Sequence, residues 1–303
     1  AIRDLLFGVE NPGGKLTETW PIRYEDCVMA PYYGKEKDAL YLEGIYTGYR
    51  YFDKADVPVR WPFGYGLSYT SYTYSDLRLH GDLASVTVTN TGDRAGTEIV
   101  QLYVEAPQDG IHRPLRELRH FAKAWLQPGE SKTVSFLLSD RDFAIWQDGW
   151  KVPCGTYRIC VGGLAVSLKK SGEAVTVPVW QAGSWYESCQ GTPTQSDLEN
   201  AMGHAYVPTL LKKGAFTMDN TVMEMKDYSL MMKIMYKAVE RTIAKGFGGK
   251  KDYENPEFRM LMASSAGSPF RSMIISGGMK GGILPGMLEM ANGHFLRGIY
   301  KMI

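Results

Sequence analysis

Cysteine is scarce in this sequence, and what is missing around it is informative. Four cysteines occur in 303 residues, and Cys27, Cys154, Cys160 and Cys189 include no Cys-x-x-Cys spacing. That excludes the simple zinc and dithiol redox motifs. Cys154 and Cys160 lie six apart in a strand-like segment, so extended chain separates them by roughly 20 Å. A disulfide needs Cα atoms within about 7 Å, so reduced thiols and a cytoplasmic location are the expectation. No run of about 18 apolar residues is present, and a transmembrane helix is not expected. Charge of one sign is also lacking: the net charge is +1, which gives no reason to expect nucleic acid or a membrane surface as partner. The five histidines, His80, His112, His120, His204 and His294, form no i, i+4 pair, which argues against a metal site. Gly64-x-Gly66 is half of a dinucleotide fingerprint, but position 69 is Tyr, and Gly249-Lys250-Lys251 lacks the Ser/Thr of a phosphate-binding loop. No cofactor is expected. The chain starts Ala1-Ile2-Arg3 without methionine or a charged-then-apolar leader, a start that reads as the interior of a longer protein.

What is present falls into four stretches. Residues 1–70 are rich in Gly, Pro and Tyr, with one helix-like start at Ile2 to Phe7 and strong turn chemistry at Asn11-Pro12-Gly13-Gly14. Two aromatic, glycine-punctuated blocks close this stretch: Gly48-Tyr49-Arg50-Tyr51-Phe52-Asp53, and Trp61-Pro62-Phe63-Gly64-Tyr65-Gly66-Leu67-Ser68-Tyr69-Thr70. Both read as tight turns with rings packed on neighbouring chain. Residues 71–180 alternate with period two: Ala84, Val86 and Val88; Val100, Leu102 and Val104; Val134, Phe136 and Leu138; Tyr157, Ile159 and Val161. Turn chemistry at Asn90-Thr91-Gly92-Asp93, Gln127-Pro128-Gly129-Glu130 and Pro153-Cys154-Gly155 separates them. Several half-buried antiparallel strands in about 110 residues predict an immunoglobulin-like β-sandwich. Residues 181–200 are rich in Ser, Thr, Gln and Gly and read as a linker.

Residues 201–303 carry 14 of the 15 methionines. Asp227 is placed to cap a helix with the stripe Met231, Ile234, Met235, Ala238 and Thr242, stopped by Gly246. Leu284, Leu288, Ala291, Phe295 and Met302 suggest one terminal amphipathic helix, with Gly246 to Lys251 and Gly277 to Gly282 as loops. The methionine face is expected to dock within the parent protein or to form a homodimer.

In order and spacing, the two aromatic blocks, Ala1 to Leu16, Val88-Thr89-Asn90-Thr91-Gly92, Gln101-Leu102-Tyr103-Val104, Arg113-Pro114 with Glu117-Leu118, Leu126 to Glu130 and Gly155-Thr156-Tyr157 resemble glycoside hydrolase family 3, the β-glucosidase and β-xylosidase type. The resemblance implies a mostly β chain with a helical tail. It comprises the end of an α/β sandwich (1–70), a fibronectin-III-like β-sandwich (71–180), a linker (181–200) and a helical, methionine-rich extension (201–303). It further implies a retaining hydrolase of terminal β-linked sugars, with an oligosaccharide or glucoside as substrate and no cofactor.

Retaining hydrolysis requires two carboxylates about 5–5.5 Å apart. The family's nucleophile sits in a Ser-Asp-Trp setting, whereas Ser75-Asp76, Ser139-Asp140 and Ser196-Asp197 are followed by Leu77, Arg141 and Leu198. These read as turn and cap aspartates, and neither catalytic carboxylate is expected within these residues. Tyr49, Arg50, Tyr51 and Asp53 are candidates for a sugar subsite, because rings stack on sugars and Arg/Asp pairs bind hydroxyls. The alternative is an Arg–Asp pair and stacked rings that fix a domain junction. Trp125, Trp146, Trp150, Trp180 and Trp185 invite a carbohydrate-binding role, set against ordinary core or interface packing. Arg113, Arg116, Arg119 and Lys123 read as a solvated basic face.

Overall fold

Glycine and proline keep the first stretch irregular. Residues 1–70 contain helix α1 (Ile2–Leu6), strand β1 (Trp20–Pro21), helix α2 (Tyr49–Lys54) and strand β2 (Val59–Trp61), with β1 and β2 antiparallel through Trp20 and Trp61. The block at Gly48 to Asp53, expected as a turn, is a helix. Only Gly48 (φ 55°) is a turn residue, and the six residues after it bury Tyr49, Tyr51 and Phe52. This computed structural model describes residues 1–33, 38–208, 211–273 and 283–302, and it separates into two units, Ala1–Val207 and Pro208–Ile303.

The alternating segments form two antiparallel sheets in the first unit. One contains β3 (Tyr72–His80), β4 (Leu83–Asn90) and β7 (Ser131–Leu137) in the order β3-β4-β7. The other contains β5 (Gly96–Glu105), β6 (Arg116–Leu126), β10 (Gly155–Val161) and β11 (Leu164–Lys170) in the order β11-β10-β5-β6. A short hairpin, β8 (Ile145–Trp146) with β9 (Trp150–Lys151), joins them. Every apolar residue of the four predicted alternations lies in one core, from Ala84 and Val86 through Leu102, Phe136, Tyr157 and Ile159. Period-two alternation puts one face of each strand inward, so the pattern locates the core directly.

Two polar hubs, one of them buried, anchor the irregular stretches to the sandwich. Asn90 is fully buried. Its amide donates to the carbonyls of Arg94 (2.7 Å) and Leu126 (3.1 Å), and its side-chain oxygen accepts from the Thr70 hydroxyl (2.6 Å) and the Gly92 N–H (3.1 Å). Asn11 accepts from the Ser68 hydroxyl and the Tyr69 N–H and donates to the Ala95 carbonyl. The second aromatic block is thereby tied at its C-terminal end, Ser68 to Thr70. Gly64 within it has φ 81°, a backbone conformation that disfavours any residue with a Cβ.

The stretch expected as a linker is packed. Helix α3 (Trp185–Ser188) buries Trp185 and Tyr186, which with Cys189 join Tyr46, Tyr51 and Phe52 in a second apolar cluster. The Trp185 indole N–H reaches the Gly191 carbonyl and the Tyr186 hydroxyl reaches the Leu42 carbonyl. Composition misses this because two aromatic rings outweigh the surrounding polar residues. Helix α4 (Gln195–Met202) follows, with Thr194 and Asp197 forming a reciprocal cap.

The second unit is helical: α5 (Val222–Met225), α6 (Leu230–Lys245), α7 (Pro256–Ala266), α8 (Ile283–Ala291) and α9 (Phe295–Met302). Ser229, not Asp227, caps α6, and Gly246 closes it. The buried side of α6 carries Met232 and Ala244, with Met235, Tyr236, Val239 and Ile243 beside them, while Ile234 is 61% exposed. The stripe is therefore rotated from the one expected, because methionines at 231 and 232 make the two faces nearly equal in hydrophobicity. The expected single terminal helix is a hairpin of α8 and α9 broken at Asn292-Gly293-His294, where Gly293 takes φ 94°. The Gly277 to Gly282 loop lies outside the described residues.

Candidate functional site

The sequence candidates converge on one strand. On α2, Asp53 accepts two bonds from the Arg116 guanidinium, at 2.6 and 3.2 Å; Arg50 pairs with Glu117 at 3.3 Å; and the Tyr49 hydroxyl accepts the Leu118 N–H at 2.9 Å. Positions 49, 50 and 53 share one helix face, and they meet three consecutive residues at the start of β6. The strand carries a register shift there, between the pairs of Leu102 and Tyr103. The bulge frees side chains and an N–H that a regular ladder would occupy. The hydrogen bond to Asp53 holds the Arg116 guanidinium above its ordinary range. Tyr51 lies apart in the cluster with Phe52 and Trp185.

An open cavity of about 570 Å³ lies beside this clamp. Tyr49, Asp53, Phe63 and Arg116 line it, along with Asp56, Glu105 and Arg158. Arg158 pairs with Glu105 at 2.7 Å, so two guanidinium–carboxylate pairs share one wall. A second cleft of about 410 Å³ is lined by Tyr46, His112, Trp180, Tyr186 and Lys54. His112 is packed edge-on against Tyr46, Trp180 and Tyr186, and burial, reinforced by Lys54, pushes its pKa down to about 4.

The basic stretch expected as a solvated face is engaged instead. Arg113 is buried and reaches Asp109, the Tyr157 hydroxyl and the Pro107 carbonyl; Arg116 holds Asp53; Arg119 meets Glu117. Lys123 alone of the four is fully exposed. Asp53 lies 63 residues from Arg116, so spacing carried no signal of that pair, whereas Asp109 and Glu117 lie within four residues of their arginines.

The three Ser-Asp dipeptides occupy structural positions. Asp76 sits at a register shift of β3 with φ 53° and is exposed. Asp140 starts a short 3-10 turn and meets Lys170. Asp197 caps α4 and accepts the Trp185 N–H, and hydrogen bonds to Thr194 and Trp185 lower its pKa against a desolvation penalty. Of the tryptophans, Trp185 is buried and Trp125 is exposed on β6. Trp146 and Trp150 face each other edge to face at 5.2 Å on the β8–β9 hairpin, 64% and 52% exposed. All four thiols are free. Burial raises the Cys160 thiol to about 11 and the Cys189 thiol to about 12. Among the described residues no helix is long and apolar enough to cross a membrane, and no group of three or more His, Cys, Asp and Glu side chains is placed to hold a metal ion.

Residues 98–165 match the fibronectin type III-like domain family. The chain is 42% identical over 187 residues to a protein named probable beta-glucosidase I from Aspergillus clavatus, covering 56% of this chain and 22% of that one. It is 41% identical over 174 residues to thermostable beta-glucosidase B from Acetivibrio thermocellus, covering 54% and 23%. Among solved structures, beta-glucosidase 3B from Thermotoga neapolitana in complex with glucose superposes with a TM-score of 0.53 at 38% identity, over 55% of this chain and 26% of that one. The GH3 beta-glucosidase from Bifidobacterium adolescentis gives 0.54 at 31% identity, over 66% and 30%. The chain thus spans about a fifth of the length of the curated relatives it matches, and the similarity is to the C-terminal portion of family 3 β-glucosidases.

Proposed function

We propose that this chain, similar over more than half its length to the C-terminal portion of family 3 β-glucosidases, is the accessory part of a retaining glycoside hydrolase acting on terminal β-linked sugars. In that reading the catalytic carboxylates lie outside these residues, and a β-linked oligosaccharide or glucoside is cleaved through a covalent glycosyl intermediate. The observation that carries the reading is the α2–β6 clamp. Tyr49, Arg50 and Asp53 each make a polar contact with residues 116–118 of β6, as expected of groups that fix a junction. The role of these residues is to seat the first stretch of the chain, and the second aromatic block with it, against the sandwich. Four unpaired thiols fit a reducing, cytoplasmic setting. The experiment is a turnover assay of residues 1–303 on aryl β-glucosides. No activity is expected; turnover abolished by one carboxylate substitution within these residues would overturn the assignment.

A second reading, a non-catalytic module that self-associates, is favoured by one observation. Helix α9 leaves Phe295, Leu296 and Tyr300 exposed at 59%, 82% and 82%. In this reading the protein is a homodimer that becomes monomeric when residues 201–303 are removed, as sedimentation would register.

A further inference from the structure

We infer that the 570 Å³ cavity beside the clamp is a non-catalytic binding site for a neutral saccharide. Its volume lies within the about 300–1,000 Å³ typical of small-molecule sites. The wall charges nearly balance. Asp53, Asp56 and Glu105 face Arg116 and Arg158, four of the five already paired across 2.6 and 2.7 Å contacts. A phosphate or carboxylate would bring its charge up against three wall carboxylates, and a cation would bring its own against two guanidinium groups. A sugar hydroxyl does neither, because it donates to the carboxylate and accepts from the guanidinium of one intact pair. Phe63 and Pro62 share the lining, apolar surface of the kind that meets the C–H face of a pyranose.

Two details mark the wall as more than a gap between segments. Asp56 lines the cavity from the left-handed region, φ 52°, a conformation that asparagine and aspartate tolerate at some cost. The buried Thr19 hydroxyl, in the same wall, has no hydrogen-bond partner among the described residues. The site depends on this unit's own residues and does not rest on hydrolysis. Its failure is therefore distinguishable from failure of the glycosidase assignment, which is read by turnover.

The test is calorimetric titration of the full chain with glucose and with cellobiose. Asp53 and Arg116 are unsuitable to mutate, since they fasten α2 to β6. Asp56→Gly removes the carboxylate and relaxes the positive φ, so its thermal midpoint is expected not to fall. Arg158→Met removes a guanidinium from an exposed pair. Saturable binding to the unaltered chain, weakened about tenfold or more by each variant and unchanged by Trp150→Ala, would support the site. Absence of saturable binding by both sugars, or binding lost in Trp150→Ala and kept in the two cavity variants, would overturn it.

Discussion

The β-sandwich unit and the helical unit bring backbones together by opposite means. In the sandwich, the chain between strands is irregular and is held by a buried amide. Asn90 satisfies carbonyls 4 and 36 residues away and accepts from Thr70 and Gly92. In the helical unit the links between α8 and α9 are ionic, from Glu289 to Arg297 and Lys301, while the Asn292 amide ties the turn to the Phe216 backbone. The two helices approach instead through missing side chains. A Cβ on Gly286 would lie 2.5 Å from the Gly298 carbonyl oxygen, and one on Gly298 the same distance from that of Gly286. Met302 and Met290 flank the crossing reciprocally, each four residues after one of the glycines. Loop-rich folds pay in buried polar groups that must all be matched; helical hairpins need space.

The largest effect expected follows from that contrast. Asn90→Leu keeps the volume and deletes every bond of the hub, leaving the Arg94 and Leu126 carbonyls, the Thr70 hydroxyl and the Gly92 N–H to find other partners. Each buried group left unmatched costs about 1–3 kcal/mol, so a loss of about 3–5 kcal/mol is expected, read as a lower urea midpoint for the sandwich unit. A loss under about 1 kcal/mol would mean that water replaces the amide there.

How much of this was legible beforehand differs between the same two regions. In the sandwich, Val86, Leu102, Phe136 and Ile159 are buried because alternation with polar neighbours leaves one arrangement that hides them. The roles of Asn90 and Asn11 were not legible, since a turn asparagine looks alike whether its amide faces solvent or three separate segments. The α2–β6 clamp was half visible: Tyr49, Arg50 and Asp53 stood out, but the pairing expected within the block runs instead to Arg116 and Glu117. Ion pairs between elements far apart in sequence leave no local spacing to read. In the helical unit methionine blurs the pattern itself, because it is comfortable on either face. The α6 stripe was misplaced for that reason and the break at Gly293 was missed, while the glycine stop at Gly246 holds.

Gly298→Ala tests the other side of the comparison. Its new methyl must be accommodated against the Gly286 carbonyl, and neither backbone can yield cheaply in a helix. Overpacking of this kind costs about 1–3 kcal/mol, offset by up to about 1 kcal/mol from the better helix propensity of alanine. A net loss of about 1–2 kcal/mol is expected in the helical unit, with the sandwich unit unchanged in hydrogen exchange. If the helical unit gained stability, the close approach would not be what holds the hairpin.

The smallest expected effect separates neutral from charged anchoring within the sandwich unit. His112 is packed among Tyr46, Trp180 and Tyr186, with Lys54, Asp109 and Glu187 lining the same cleft, and its pKa is pushed down to about 4 from 6.5. The unfolded chain therefore binds a proton that the folded one refuses. Stability contributed by the neutral ring is present above pH 6.5 and is lost as the pH falls toward 4. Between pH 7 and pH 6 the loss amounts to less than about 1 kcal/mol, in a window where carboxylates remain ionised and contribute little. His112→Phe keeps a ring in the aromatic surroundings and removes the proton, so the slope of stability against pH between 7 and 6 should flatten relative to the unaltered chain. An equal slope in both proteins would place the titrating group elsewhere and leave His112 as packing alone.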